Sequence, residues 1–370
     1  MSVGKWAANA LQLLPGFDSE QIETKSDFFQ EQEVVSALGL KWDSKEDVFC
    51  FKSSFVAPDT SIPVTKRSVL SEVSKLFDPI GWLSPVIIRA KVLIQNLWLL
   101  GSNWDDPIPK ELAESWGIFQ GELKDLELIK IPRWLGSFAF SRWELHCFCD
   151  ASDRAFAAAV YAVVINENDI KTSLMTAKAK VAPIKAISIP KLELCGAILA
   201  ARLIVYILSK IDRKPFKIYC WSDSKVVLPW VQGHPSRWKT FVANRVNEIK
   251  TSLPDAEWRQ VRSADNPADL ATRGVNPTQL GKLILWRKGP PWLSQPLKAF
   301  SQGPEVLDTS EEINSASPIF SFVAEVSDEN SKKWLAHLAD SICKHSSLVK
   351  IIRILSYIFR WRSNAKRKSK

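Results

Sequence analysis

From Trp143 to Asp150 the chain alternates, with Leu145, Cys147 and Cys149 on one face of an extended strand and His146, Phe148 and Asp150 on the other. Shortly afterwards Phe156 to Ile165 is almost wholly apolar and β-branched towards its end. An alternating strand beside a continuously apolar one predicts a sheet whose centre is covered on both faces. A third strand is expected over Leu174 to Val181, a fourth over Phe216 to Trp221 and a short last one over Trp258 to Val261. Pro190 opens a helix through Leu208, since proline suits a first helical position. Its expected apolar face is Leu192, Cys195, Leu199, Leu203 and Tyr206, while Gly196, Ala197, Ala200 and Ala201 permit close approach to a sheet. Helices are also expected from about Ser224 to Val231 and from about Arg237 to Ser252. Strand, strand, strand, helix, strand, helix, strand predicts an α/β domain with a mixed sheet over 136–280.

The flanks differ in character. Residues 1–135 predict a mostly helical unit: a Trp-rich start, a strand around Val48 to Phe51, then apolar helical spacing at Val69, Leu70, Val73, Leu76 and Phe77. Asp78, Pro79 and Gly81 stop that helix, and further helices are expected over Val86 to Leu100 and Lys110 to Leu126. Residues 281–370 predict a Pro- and Trp-rich connection, an acidic linker around Glu305 to Asn314, an apolar helical segment and a basic end. That end is either a solvated terminus or a nucleic-acid arm.

Composition narrows the classes. A net charge of +9 favours a polyanionic partner, although ordinary basic proteins share it. The 16 Trp suit base stacking or, for most of them, core filling. Cys50, Cys147, Cys149, Cys195, Cys220 and Cys343 contain no C-x-x-C pair, so no zinc ribbon is legible and a reducing, intracellular setting is expected. The apolar stretches are interrupted by Arg89, Lys91 and Arg202 and read as buried helices, so no membrane partner is expected. His146, His234, His337 and His345 form no ligand spacing, and neither G-x-x-x-x-G-K-[ST] nor G-x-S-x-G occurs.

The chemistry falls to four acids. Asp150 and Asp223 each end an apolar strand-like run, Glu193 falls in the first turn of the Pro190 helix, and Asp269 follows an Asn-Pro start signal. Singly, such residues are turn formers or helix-dipole partners. Together they conflict: two carboxylates about 5 Å apart, at an effective dielectric near 20, repel by about 3 kcal/mol. A divalent cation with hard-oxygen preference, Mg²⁺ or Mn²⁺, relieves that conflict. A pair of such ions can clamp a scissile phosphate.

The strings LGLKWD, KRSVLSEVSKLFDPIGWLSP, CFCDASDRAFAAAVY, ISIPKLELCGAILAARL, WSDSKVVLPWV, RWKTFVANRVNEI and NPADLATRG occur as ordered blocks. Over about residues 5–290 they resemble the polyprotein of BEL/Pao-type retrotransposons, in the region labelled a Pao retrotransposon peptidase. The resemblance implies a ribonuclease H-like mixed five-stranded sheet with flanking helices. A thumb- or connection-like unit without a polymerase site would precede it, and a partial lead-in to an integrase would follow. It implies hydrolysis of the RNA strand of an RNA–DNA hybrid by two-metal catalysis. Asp150, Glu193 and Asp223 would be the core ligands, with Asp269 completing the set, and the rest of a retrotransposon polyprotein is a further expected partner. Ser224 and Asn266 are candidates for touching substrate or supporting the acids. Lys225, Arg237 and Lys239, with Arg245 and Lys250, are candidates for phosphate contacts or else a solvated helix face.

The chain departs from related activities at identifiable places. It has no Tyr-x-Asp-Asp turn for polymerisation and no Asp-Thr-Gly or Asp-Ser-Gly for an aspartic peptidase. The loop VRSADNPAD lacks the histidine that many ribonucleases H carry before the last aspartate, so slow turnover is expected. Both ends read as truncated. Two functions are therefore expected to compete: a hybrid-specific Mg²⁺ endoribonuclease, and a catalytically inactive nucleic-acid-binding remnant.

Overall fold

The computed structural model describes residues 34–37, 40–51, 63–138, 140–167 and 169–295. The expected Trp-rich helical start, acidic linker, closing helix and basic end fall outside the described residues, as do His337, His345 and Cys343.

Strands β1 (Val34–Ala37), β2 (Leu40–Asp43) and β3 (Val48–Phe51) form an antiparallel meander, and β4 (Lys130–Pro132) returns across a long separation to pair with β3. Between them lie α1 (Lys66–Ser74), α2 (Ser84–Leu99) and α3 (Lys110–Glu122). Helix α1 begins where Thr65 and Ser68 cap each other: the Thr65 hydroxyl accepts from Ser68 N at 3.2 Å and the Ser68 hydroxyl from Thr65 N at 2.9 Å. This part of the chain thus adds a four-stranded sheet to its helices, of which the sequence predicts only the strand at Val48–Phe51. Strand β4 is too short to show a period, and its partner lies some eighty residues upstream.

The second sheet carries the fold. Strands β5 (Arg142–Ala151), β6 (Ala155–Ile165) and β7 (Ile170–Val181) run as an antiparallel meander. Helix α4 (Ile189–Leu208) then crosses over to β8 (Lys217–Ser222), which lies parallel to β5. Helices α5 (Val227–Gln232) and α6 (Thr240–Ser252) lead to β9 (Glu257–Gln260), parallel to β8, which gives the order β7-β6-β5-β8-β9. The chain then forms α7 (Ala268–Arg273), α8 (Pro277–Leu280) and α9 (Ile284–Lys288).

Alternation in β5 sorts its side chains as predicted. Leu145, Cys147 and Cys149 join Cys220, α4, α5 and α6 in one core. Phe148, on the opposite face, joins Tyr161, Trp221, α2 and α7 in the other. The five cysteines among the described residues are free, and Cys147, Cys149 and Cys220 are buried with their thiols pushed up by desolvation. Trp82, Trp116, Trp221, Trp230, Trp238 and Trp286 are core residues, which settles the role of those aromatics.

The expected divisions at 135 and 280 are not breaks in packing. Leu40, Trp82 and Trp116 share a core with Phe148, Tyr161, Trp286 and Leu293. The Trp286 indole donates to the Trp82 carbonyl at 2.8 Å, and the Tyr161 hydroxyl donates to the Trp286 carbonyl at 2.8 Å. The Pro- and Trp-rich stretch is therefore, up to residue 295, a cover of the sheet. Helix α4 buries Leu192, Cys195 and Leu199 of its expected face, but Tyr206 is 62% exposed, and Leu194, Ala197, Ala201 and Ile204 are buried as well. Its small residues meet the sheet directly, so the close-packed stripe and not the largest side chains sets the rotation. Among the described residues no helix is long and apolar enough to cross a membrane.

Candidate active site

Strands β5 and β8 are in parallel register with Cys149 opposite Ser222. The next residue on each is an aspartate, Asp150 and Asp223, and adjacent strands lie about 4.8 Å apart. Two acids thus leave the same end of the sheet from neighbouring central strands. Asp150 is 7% exposed.

Helix α4 brings in Glu193 from the other layer. Glu193 lies just beyond the first turn, not within it, because the helix starts at Ile189. One turn later Gly196 has no side chain, and a Cβ there would stand 2.9 Å from the Asp150 carbonyl oxygen. Glycine therefore lets the helix descend onto the strand end and carries Glu193 with it. Asp269 arrives in the first turn of α7, on the Phe148 side of the sheet.

Each acid is held by a protein donor. The Thr272 hydroxyl donates to Asp150 Oδ2 at 2.5 Å. The Ser224 hydroxyl donates to Glu193 Oε2 at 2.5 Å and accepts from the Val226 and Val227 amides that begin α5. Asp223 accepts from the Ser263 hydroxyl at 2.6 Å and from Asn266 Nδ2 at 3.2 Å. Asp269 pairs with Arg273 one turn along α7, Oδ1 to Nε at 2.6 Å.

Burial pushes the Asp150 carboxyl up to about 7, opposed by the Thr272 hydrogen bond and reinforced by the charges of Asp223 and Asp269. Burial likewise raises Glu193, opposed by Ser224 and reinforced by Asp223. Arg273 is raised above its ordinary value by its bond to Asp269, with further contributions from Asp150 and Asp223. Asp150 thus feels the charges of Asp223 and Asp269, and Glu193 feels that of Asp223.

Among the described residues no three His, Cys, Asp or Glu side chains converge as a ready metal cage, and each of the four carboxylates is held by its own donor. The donor set still fits a hard divalent cation in chemistry: carboxylate oxygens from two strand ends and two helices, mutually repelling and partly withheld from water.

The other candidates separate. Asn266, expected either to touch substrate or to support the acids, is 0% exposed. Its amide nitrogen bridges the Cys149 carbonyl and Asp223, and its Oδ1 accepts from Ala268 N, so it splints the site from within. Ser224 is buried with its hydroxyl committed to Glu193, so it too supports an acid instead of facing solvent. Lys225, Arg237 and Lys239 are exposed near the start of α5 and α6, and the Arg237 guanidinium lies 5.3 Å from the Trp238 ring centroid. Sequence reading missed Thr272, Ser263 and Arg273. The string LATRG carries no signal that its threonine reaches a residue 122 positions earlier.

A central meander, a crossover helix and two parallel strands, with acids at the ends of the middle pair, define a ribonuclease H-like α/β domain. Residues 65–224 match the family described as Pao retrotransposon-like RNaseH-like domain. The match takes in Asp150, Glu193 and Asp223 and stops short of Asp269. No curated protein sequence matches the chain. Similar solved structures include the N-terminal ribonuclease H domain of a Mycobacterium tuberculosis protein fused to maltose-binding protein, at 15% identity over 34% of this chain and 92% of that one, TM-score 0.24. Ribonuclease H1 of Halobacterium salinarum is 16% identical over 34% of this chain and 90% of its own, TM-score 0.23. A foamy viral protease-reverse transcriptase in complex with an RNA/DNA hybrid is 12% identical over 74% of this chain but only 32% of its own length, TM-score 0.40.

Proposed function

We propose that this chain is a divalent-cation-dependent endoribonuclease that hydrolyses the RNA strand of RNA–DNA hybrids. The observation that carries the reading is the register of β5 and β8, which sets Asp150 and Asp223 side by side where Glu193 and Asp269 arrive from opposite layers. Asp150 and Asp223 would hold Mg²⁺ or Mn²⁺ between the strand ends, with Glu193 and Asp269 as the flanking ligands. The bound ions supply charge neutralisation at the scissile phosphate and activation of the attacking water.

The chain's own residues prepare that chemistry. Thr272 and Ser224 each fix one carboxylate oxygen, of Asp150 and of Glu193. Asn266 keeps Asp223 aimed along the strand end. Asp150, with its carboxyl near 7, must give up a proton before it can ligate, so activity should fall below neutrality. An RNA/DNA hybrid is also what the similar foamy viral protein holds in its own solved complex.

A catalytically inactive nucleic-acid-binding remnant is the second reading. It is favoured by one feature, that every acid already has a protein donor, so the site can hold together without ions. Incubating a labelled RNA–DNA hybrid with the purified chain in Mg²⁺ or Mn²⁺, beside Asp150→Asn, decides between them. RNA-strand fragments from the wild type alone support the nuclease, and intact RNA in both supports the remnant.

A further inference from the structure

A cavity of about 220 Å³ lies between α2, α3 and the end of α7, and three arginines line it: Arg89, Arg154 and Arg273. Among the described residues no aspartate or glutamate lines it. The arginines come from distant parts of the chain. Arg89 stands on α2, Arg154 in the turn between β5 and β6, and Arg273 ends α7.

The structure brings them together by specific means. Gly274 has φ +84°, and a Cβ there would stand 2.5 Å from Arg89 Cγ. Only glycine combines that backbone with that approach. Val275 N then donates to the Pro85 carbonyl at 2.9 Å, which pins the end of α7 against the start of α2. Arg89 is aimed by two contacts, a hydrogen bond to Asn276 Oδ1 and the Phe119 ring 5.6 Å below its guanidinium.

Converging guanidinium groups repel one another, and the nearest acids lie outside the cavity wall. Asp269 holds Arg273 Nε at 2.6 Å, and Asp153 stands 3.9 Å from Arg154 between side chains 69% and 79% exposed. Each guanidinium keeps N–H donors in a planar fork beyond those contacts, the geometry that matches phosphate oxygens. Thr272, whose hydroxyl binds Asp150, is also part of the lining. The cavity is therefore contiguous with the acids, one residue away along α7.

We propose that Arg89, Arg154 and Arg273 form a binding site for a backbone phosphate of the nucleic acid, beside the phosphate presented to the carboxylates. The site rests on the nucleic-acid reading above and deepens it. It makes the helices before the ribonuclease H-like sheet part of the substrate surface: α2 contributes a charge that the sheet domain alone lacks.

The test is hybrid binding by the full chain in EDTA, followed by fluorescence anisotropy across a salt series. Arg154→Gln alters an exposed side chain and leaves the core untouched, so folding is preserved. Loss of one phosphate contact lowers the slope of log affinity against log salt by about 1 and weakens binding about equally for all sequences. Arg142→Gln, at the opposite end of β5, serves as the control and should leave the slope unchanged. An unchanged slope in Arg154→Gln, an equal loss in Arg142→Gln, or no hybrid binding by the wild type overturns the proposal. So does a thermal shift from inorganic phosphate that depends on Arg154 while hybrid affinity does not, since that assigns the site to a free anion. Because EDTA removes cleavage from the measurement, a chain that never cuts in Mg²⁺ but shows the slope change sinks the nuclease and keeps the phosphate site.

Discussion

Thr272 and Asp150 are joined by a 2.5 Å hydrogen bond that ties the end of α7 to the end of β5. The bond favours the ionised carboxylate and works against the burial that pushes it up to about 7. Thr272→Val keeps the shape and removes the donor, so the Asp150 carboxyl rises further. A hydrogen bond to a charged group contributes about 1.5–3 kcal/mol, and one pH unit corresponds to about 1.4 kcal/mol. The acidic limb of the cleavage profile should therefore move to higher pH by about one unit. A pH–rate series on both proteins reads this directly, and coincident limbs would show that Asp150 does not govern the profile.

Asp150→Asn should abolish cleavage and at the same time stabilise the fold. The folded carboxyl, at about 7, lies above its ordinary value of 3.8. The folded state then holds its proton more tightly than the unfolded chain, and that advantage is complete below the unfolded value and lost as pH rises through the folded one. Neutral asparagine escapes the loss. Its gain in Tm over the wild type should be absent near pH 4, grow through pH 5 to 7, and correspond above pH 7 to a stabilisation on the order of a few kcal/mol. Thermal melts in EDTA across that range are the measurement. A constant difference at every pH would remove Asp150 titration as its cause.

Gly196→Ala tests how α4 delivers Glu193. The added methyl meets the Asp150 carbonyl oxygen at 2.9 Å, and backbone on both sides leaves little room to yield. Overpacking of this kind costs about 1–3 kcal/mol, offset in part by alanine's helix propensity of about 1 kcal/mol over glycine. Stability should change modestly while cleavage falls at least tenfold, because the helix must lift Glu193 away from the strand end. Equal activity in the variant would mean that Glu193 tolerates displacement and is not a ligand.

Much of this architecture is legible in the sequence, and the gaps have physical reasons. Alternation in β5, the apolar run of β6 and the small-residue stripe of α4 are local patterns, and each appears where its period places it. The strand-terminal positions of Asp150 and Asp223 follow from the same reading. The β3–β4 pairing does not, because it joins short segments with no periodicity across the whole helical region. Thr272, Ser263 and Arg273 escape notice for a related reason: a hydroxyl or guanidinium takes its role from a partner distant in sequence. Asn266 shows a choice the sequence leaves open. A polar residue beside the acids suits either a substrate contact or support of the acids, and burial with a bond to Asp223 selects the second.

Asn266 therefore makes a sharp final case. Its two amide protons are spent on the Cys149 carbonyl and Asp223, and its oxygen caps Ala268 N at the start of α7. Asn266→Ala leaves those groups without partners in a buried site, at a cost of about 1–3 kcal/mol for each group that water cannot reach. Asn266→Asp is worse at high pH, since it replaces the donor to Asp223 with a second carboxylate that burial opposes ionising. Its folded pKa should thus be raised, so its stability relative to the wild type is best at low pH and declines as pH rises through that value. Urea titrations at pH 5 and pH 8 provide the comparison. If Asn266→Asp loses no more stability at pH 8 than at pH 5, the splint from Cys149 to Asp223 does not hold the site in the way its hydrogen bonds imply.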